Sequence, residues 1–305
     1  MKIAFASCSN IKMQNDNQPI WGIIHGQKPD LLLLLGDNVY MDEGVFNAEN
    51  LENRYKRQLA EPHFNKLLCE VPYLAIWDNH DFGTNDLFSD SLTEEQKKKS
   101  RELFDRYLKN RSVKPHTPNV YCTHTIGSVK IIMLDTRSYQ LSPYNDDNAT
   151  LLGSTQQEWL LNEMRLSTGI TIICSGMTYS FGDMCWKTHK NWFDRFTRAV
   201  AKTSKPLFLG GNIHTNEFKQ HIFPDSPLVI QSVTGDPVSS AVTGETYLYE
   251  AISSSVGRNM KNHLPHNKYG IVDIGATNME ITLYSQKPGK FFHKVVNINN
   301  WKLEE

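Results

Sequence analysis

The feature that most constrains this chain is a series of short apolar runs, each followed at once by polar residues. The runs are three to six residues long, which is typical of strands buried on both faces of a sheet. They occupy residues 3–6, 31–35, 73–77, 129–134, 170–174, 207–209 and 228–230. Helix patterns separate several of them, so the sequence predicts an α/β fold.

Helix signals lie between the runs and stop after about residue 228. Thr93 and Gln96 form a capping box that opens one helix, Ser154 and Gln157 open a second, and residues 189–201 form a third. Four later runs indicate antiparallel strands, which we expect to complete a second sheet: 247–252, 269–274, 279–284 and 291–298. No linker, repeat or low-complexity block divides the sequence. We therefore predict a single domain over residues 1–305.

Composition excludes several classes of protein. Lys and Arg number 32 against 33 Asp and Glu, a net charge of −1, so the broad positive field of a dedicated nucleic-acid binder is missing. The longest aliphatic run, residues 31–35, falls far short of the roughly 20 residues that span a bilayer. The five cysteines have no CxxC spacing, which argues against a disulfide framework or a zinc knuckle. Residues 1–8 contain no signal-peptide core, so we expect a cytoplasmic location, although a leader removed earlier would be invisible.

Residue types that bind metals follow five of the predicted strands. In order along the chain they are Cys8, GDNVY at 36–40, DNHD at 78–81, DTR at 135–137 and GGNIH at 210–214. In open α/β sheets the functional crevice lies beyond the carboxyl ends of the strands. The pattern therefore predicts a metal site at this edge.

Each motif alone has a structural interpretation. Asp37 fits a residue that caps a turn, and His80 fits a histidine that faces solvent beside an Asx turn. His214 fits a histidine of the core or of a loop. Cys8 alone fits a small buried apolar residue, and Arg137 fits either a bidentate phosphate contact or a salt bridge. Together the motifs favour a metal centre, because they recur at successive strand ends.

In this order, the motifs resemble those of the calcineurin-like metallophosphoesterase superfamily, and within it the PhoD-like (alkaline phosphatase D) branch. FASC at 5–8, WDNHD at 77–81, LDTR at 134–137 and LGSTQQEWL at 152–160 add to the resemblance, which runs from residue 5 to about 216. It implies a four-layer α/β/β/α sandwich. It also implies a metal-dependent phosphoric ester hydrolase, acting on a phosphate ester by in-line attack of a hydroxide held by two cations.

The resemblance assigns roles to individual residues. Asp37 would bridge the two metals, and His80 would be the general acid. The remaining implied ligands are Cys8, Tyr40 and His214 for one metal, and Asn79 and Asn212 for the other.

The donor types also bear on which ions are expected. A thiolate, a phenolate, a carboxylate and an imidazole suit a transition metal of high charge such as Fe(III), whereas hard oxygens suit Ca²⁺, Mg²⁺ or Mn²⁺. The resemblance implies iron plus calcium.

Two departures remove negative charge near the second ion. The chain has Asp78-Asn79 and Gly211-Asn212 where the branch commonly has Asp-Asp and Gly-Asp. Asp78, Asp81 and Asp236 are candidates to replace that charge. The alternative hypothesis is a catalytically impaired metal- or phosphate-binding member of the same fold.

Overall fold

Two β-sheets that face each other form the centre of the fold. The computed structural model describes residues 1–41, 44–85, 88–108, 119–144, 146–224, 245–256, 267–285 and 292–304. The strands are β1 (Lys2–Ala6), β2 (Leu31–Leu35), β3 (Tyr73–Ile76), β4 (Cys122–Ile126), β5 (Val129–Met133), β6 (Ile170–Cys174), β7 (Pro206–Gly210), β8 (Asn216–Pro224), β9 (Glu245–Ser253), β10 (Lys268–Ile274), β11 (Asn278–Ser285), β12 (Phe292–Asn297) and β13 (Lys302–Leu303). The predicted strand at 228–230 lies outside the described residues.

The first sheet has the strand order β13-β12-β11-β10-β1-β2-β3, and the second has the order β4-β5-β6-β7-β9-β8. Strands β1, β2 and β3 run parallel, as do β5, β6, β7 and β9. The carboxyl ends of the parallel strands in each sheet therefore share one edge. The predicted runs at 3–6, 31–35, 73–77, 129–134, 170–174 and 207–209 are present as β1, β2, β3, β5, β6 and β7, and their apolar side chains are buried.

The C-terminal strands correct one prediction. Strands β10 to β13 extend the first sheet, through antiparallel pairing of β10 with β1, and so they do not complete the second. In the second sheet β9 is antiparallel to β8 but parallel to β7. The periodicity of a run shows that it is a strand, but it does not show which sheet edge it joins. The prediction of one domain stays a prediction.

Seven α-helices are described: α1 (Ile20–Gly26), α2 (Ala48–Leu59), α3 (Pro62–Glu70), α4 (Asn79–Phe82), α5 (Glu94–Leu108), α6 (Gly153–Arg165) and α7 (Lys190–Val200). The capping box before α5 is confirmed, since the Thr93 and Gln96 side chains each accept from the other's backbone N–H. The box predicted at Ser154 is absent, because α6 already begins at Gly153 and its N-cap residue, Leu152, has no side-chain oxygen. Helices α1 to α3 were not predicted. No described helix is long and apolar enough to cross a membrane.

Two apolar clusters build the layers. The larger cluster fills the space between the two sheets and continues into helices α1, α2, α3 and α5. It includes Phe5, Leu33, Ile172 and Tyr249. The smaller packs α6 and α7 against the other face of the second sheet. The consecutive residues Ile172 and Ile173 of β6 belong to different clusters, because successive side chains of a strand point to opposite faces of the sheet.

Candidate metal centre

The carboxyl ends of strands from both sheets meet at one place. Gly36 follows β2 with a φ of +88°, and a Cβ there would lie 2.6 Å from the Asp78 Cβ, just after β3. A Cβ on Gly211, after β7, would lie 2.8 Å from the Ser7 Oγ and 3.0 Å from the Leu35 carbonyl oxygen. Only glycine allows such close approach. The glycines of GDNVY and GGNIH therefore bring the two sheets' motifs together.

Four of the predicted metal ligands form one cluster, which we call the first half-site: Cys8, Asp37, Tyr40 and His214. Ligand atoms of Cys8, Asp37 and His214 all lie within 4.8 Å of one another. The Tyr40 hydroxyl donates to Asp37 Oδ2 at 3.2 Å and lies 3.1 Å from His214 Nε2. The Cys8 Sγ is 3.5 Å from the same Asp37 oxygen. Residues from opposite ends of the chain thus converge as the sequence predicted.

The backbone of these ligands is unusual. Cys8, Asp37, Asn212 and His214 have φ values of 60°, 49°, 69° and 55°, in the left-handed region. For a residue other than glycine this costs roughly 1 kcal/mol, so the surroundings must enforce it. Backbone bonds between the loops after β1 and β2 do so, from the Cys8 N–H to the Gly36 carbonyl and from the Ser9 N–H to the Asp37 carbonyl. Such strain is typical of functional sites.

The protonation state of Cys8 fits a site built for a cation. Cys8 is fully buried, and burial followed by the neighbouring Asp37 charge raises the pKa of its thiol well above the usual value. Without a cation the sulfur therefore keeps its proton. A bound metal reverses this, because coordination favours the thiolate and releases the proton. The sulfur, carboxylate, phenol and imidazole of this cluster together fit a transition-metal ion.

His80 lies directly beside the first half-site. Its backbone N–H donates to Asp37 Oδ1 at 3.1 Å, and its ring centroid is 4.1 Å from that of Tyr40. Its Nδ1 is 3.0 Å from the Met41 carbonyl oxygen, which only accepts, so we assign the hydrogen to Nδ1. This bond fixes the ring and leaves Nε2 as the atom that can carry a further proton.

The sequence predicts a second half-site made of Asn79 and Asn212, with Asp37 shared, and this set stays a prediction. Asn79 is buried at the start of α4, next to His80, and its Oδ1 accepts from Arg137 Nη2 at 3.4 Å. Asn212 lies two residues before His214. Within the described part of the chain, neither asparagine side chain has a hydrogen bond to a side chain of the first half-site.

Arg137 is part of a buried ion pair. Its Nε bonds Asp78 Oδ1, and its Nη1 donates to Gln140 Oε1 at 2.9 Å. The structure thus contains the salt bridge that the sequence offered as one interpretation of Arg137, and a contact of Arg137 with phosphate stays a prediction. Burial raises the pKa of Asp78 to about 6, against the opposing effect of the Arg137 charge. Asp78 Oδ2 is buried and has no hydrogen-bond partner in the described part of the chain.

Asp81 does not replace the missing charge at the second half-site. Its carboxylate accepts from the Asn38 backbone and side-chain nitrogens, from the Tyr55 hydroxyl at 3.1 Å and from the Asp78 N–H at 3.0 Å. These bonds hold the loops after β2 and β3 in place, so Asp81 is a structural residue. Burial and the Asp37 charge raise its pKa to about 8. Asp236 lies outside the described residues.

Two residues of the centre escaped the sequence analysis. Ser254, just after β9, has its Oγ 3.0 Å from the Cys8 Sγ. Lys268 donates from Nζ to the His214 carbonyl oxygen at 2.7 Å. The only signal was positional: three serines, at 253–255, follow a predicted strand, the same rule that pointed to the other motifs.

Comparisons with known proteins identify the family and the fold of this chain. The model of the PhoD-like phosphatase family matches residues 3–285. This chain belongs to that family. The predicted resemblance to the PhoD-like branch is thereby confirmed. Alkaline phosphatase D of Bacillus subtilis is 21% identical over 210 residues, which are 55% of this chain and 35% of that protein. The match thus spans about a third of that curated relative.

Solved structures show that this PhoD-like chain has a metallophosphoesterase fold. The structure of PhoD superposes with a TM-score of 0.74 at 15% identity, covering 100% of this chain and 71% of the other. A purple acid phosphatase from yellow lupin gives 0.58 at 10% identity, covering 97% and 53%. A dimetal phosphatase from Danio rerio gives 0.55 at 11% identity, covering 99% of both chains. These likenesses confirm the predicted α/β class with two facing sheets.

Proposed function

We propose that this protein is a metal-dependent phosphoric ester hydrolase with a dinuclear metal centre. The observation that carries the proposal is the convergence of Cys8, Asp37 and His214 within 4.8 Å, with Tyr40 bonded to two of them. Membership of the PhoD-like phosphatase family and the fold of a dimetal phosphatase support it.

The first half-site would hold one ion, and Asp37, Asn79 and Asn212 would hold the other. The two Asp37 oxygens face in different directions, Oδ2 toward Cys8 and Tyr40 and Oδ1 toward the His80 N–H. This orientation suits a shared carboxylate. Bound cations of this kind supply a nucleophile at neutral pH and stabilise charge on phosphoryl oxygens. Of the possible ions, Fe(III) suits the sulfur-containing first half-site, and Ca²⁺, Mn²⁺ or Mg²⁺ suits the oxygen donors of the second.

His80 would act as the general acid. The Met41 carbonyl holds the Nδ1 hydrogen, so a second proton can sit only on Nε2, and an alkoxide leaving group can take it from there. Arg137 would act through Asn79, which its Nη2 contacts at 3.4 Å, rather than by gripping phosphate itself. Its partners Asp78 and Gln140 hold the guanidinium in that position.

A second candidate function is favoured by the charges of the second half-site. Asn79 and Asn212 carry none, and Asp78 is already neutralised by Arg137. A chain that binds one metal, or a metal and phosphate, without turnover would show this arrangement.

Preference for a monoester or a diester is not predicted, and a cytoplasmic location stays a prediction of the sequence.

Hydrolysis of p-nitrophenyl phosphate and of bis(p-nitrophenyl) phosphate, with elemental analysis of the same samples, tests the proposal. The hydrolase predicts bound metal and chelator-sensitive release of nitrophenol from at least one ester. His80→Ala should keep the metal and lose on the order of 10²- to 10⁴-fold in kcat. Bound metal without hydrolysis by the wild type would favour the second candidate. No bound transition metal would contradict both.

A further inference from the structure

Ser254 connects two ligands of the first half-site. It follows β9 directly and is fully buried. Its Oγ lies 3.1 Å from the His214 backbone nitrogen and 3.0 Å from the Cys8 Sγ. One hydroxyl thus touches ligands that come from opposite ends of the chain.

The direction of both hydrogen bonds follows from the chemistry of the groups. A backbone N–H only donates, so the Ser254 oxygen accepts from His214. The hydroxyl hydrogen is then free to point at the sulfur, which is the other atom within bonding distance. Ser7 also places its Oγ near the Cys8 Sγ, but at 3.6 Å, so its bond is the weaker one.

The position of Ser254 is fixed by its neighbours. Its own N–H donates to the Thr215 carbonyl oxygen at 3.2 Å. The N–H groups of Ser255 and Val256 both donate to the Ser7 carbonyl oxygen at 3.1 Å. The segment is therefore bonded to the loop that carries Cys8 and to the loop that carries His214. A hydroxyl held in this way has its geometry set before any ion arrives.

We propose that Ser254 is a positioning residue that donates a hydrogen bond to the metal-bound Cys8 thiolate and, through the His214 N–H, sets the separation of these two ligands. The inference rests on the proposed metal site. A hydrogen bond to a metal-bound sulfur withdraws electron density from it, which lowers its donation to the metal and tunes the metal's electronic properties.

The test is a Co²⁺ titration of the purified protein, followed by the sulfur-to-cobalt charge-transfer band. Ser254→Ala should shift this band to lower energy, because a thiolate without its hydrogen bond gives up charge more easily. It should also weaken Co²⁺ binding by about 10- to 100-fold, because without the hydroxyl the spacing of Cys8 and His214 is no longer held, and this outweighs the stronger donation by the sulfur. Ser254→Thr, which keeps a hydroxyl, should restore both. Ser253→Ala is the matched control, since Ser253 is equally buried but its hydroxyl bonds to Asn216 at 2.9 Å.

The outcomes separate this inference from the proposed function. A wild type with no charge-transfer band, or a band unaffected by Cys8→Ala, contradicts the metal site and the inference with it. A normal band in the wild type that keeps its energy and Co²⁺ affinity in Ser254→Ala overturns the inference alone. Should that variant not fold, the cobalt–sulfur stretching frequency of the wild type is compared in H₂O and D₂O. A shift supports a hydrogen bond from an exchangeable hydroxyl hydrogen to the thiolate sulfur. An unchanged frequency overturns the inference.

Discussion

The two half-sites of the proposed centre differ in whether a Lys or Arg side chain is paired with their acidic groups. In the first, Cys8 and Asp37 contact other ligands, and neither is paired with a Lys or Arg among the residues that the structure describes. In the second, Arg137 lies against both Asp78 and Asn79. Among the described residues, the acidic groups of the first half-site thus have no cation paired with them, since Lys268 donates to the His214 carbonyl oxygen instead. Beside Asn79, by contrast, Arg137 is already paired with the Asp78 carboxylate.

If the protein holds two metals as proposed, this contrast predicts that the two ions are not equivalent. Buried acidic groups without a counter-charge are costly, and a cation that enters the first half-site removes that cost. A cation in the second half-site meets neutral amides and an arginine nearby, so only Asp37 attracts it strongly. We therefore expect tight binding in the first half-site and weaker binding in the second. Each of the following predictions tests one side of this contrast.

The largest effect is expected for Asp37→Asn. The amide keeps the shape of the carboxylate and can still accept from the His80 N–H, so the fold should survive. The shared negative charge is lost from both half-sites. We expect both metals to be lost and kcat/KM to fall on the order of 10⁴-fold, measured by elemental analysis and by hydrolysis of the nitrophenyl esters.

Asp135→Asn is the matched control for that prediction. Asp135 is also buried after a strand, but its Oδ1 accepts from Trp77 Nε1 at 2.6 Å and from backbone N–H groups, and its Oδ2 accepts from the Ser138 hydroxyl. An asparagine can keep these contacts, because a hydroxyl also accepts. Metal content should stay near the wild-type value. Equal loss of metal in both variants would contradict a special role for Asp37.

Arg137→Met should cost about 3 to 5 kcal/mol in the free energy of unfolding. Arg137 and Asp78 are 3% and 1% exposed, and removing the arginine leaves a buried carboxylate without its partner. Urea unfolding measures the effect. The double variant Asp78→Asn/Arg137→Met should recover part of the loss, because no buried charge is then stranded.

Lys190→Met provides the comparison with an exposed ion pair. Lys190 and Asp147 are 69% and 65% exposed at 2.8 Å, so screening by water should keep the loss below about 1 kcal/mol. If Arg137→Met were no worse than Lys190→Met, the second half-site would not depend on its internal cation.

The positions of the ligands were predictable for a physical reason. Buried parallel strands are visible in the sequence as apolar runs, and their carboxyl ends must share an edge, so whatever follows them converges. Cys8, Asp37, Tyr40 and His214 were found in this way, and His80 lies beside them. The glycines at 36 and 211 gave the close approach that the motifs required.

Other features depended on distances in space that no local pattern contains. The ion pair between Asp78 and Arg137 joins residues 59 positions apart, and the sequence offered it only as one of two interpretations of Arg137. The choice of sheet edge by β10 depends on its partner β1, almost the whole chain away. Ser254 is a single hydroxyl, and nothing in its residue type separates it from Ser253, which bonds elsewhere.

Asn212→Asp should strengthen the weaker half-site. Asn212 already has a left-handed backbone, which aspartate tolerates, and the change adds one negative charge beside the second ion. We expect Mn²⁺ to bind about tenfold more tightly, measured calorimetrically on protein whose first half-site is filled. Asn15→Asp is the control, because Asn15 is also left-handed at φ 50° but is exposed at the end of a short 3₁₀ helix. Equal gains in both variants would indicate a general effect of charge.

The smallest expected effect is a pH dependence of the free energy of unfolding caused by His189, which lies near the residues that hold Arg137. His189 is 1% exposed, and its Nε2 lies 3.2 Å from the carbonyl oxygen of Leu141, the residue after the Gln140 that holds Arg137. Burial lowers the pKa of His189, and the Arg137 charge adds to this. An unfolded histidine titrates near 6.5, so below that pH the unfolded state binds a proton that the folded state resists.

The free energy of unfolding should therefore fall as the pH drops from about 7.5 to about 5.5. His189→Gln can still donate to the Leu141 carbonyl but does not titrate, so it should lose less stability over the same interval. Urea unfolding of both proteins at each pH measures the difference. An identical pH dependence of the two proteins would show that protonation of His189 does not affect the free energy of unfolding. A reduced dependence in His189→Gln would show that the folded protein keeps His189 neutral and pays for this in stability as the pH falls, because burial and the nearby Arg137 charge both oppose its protonation.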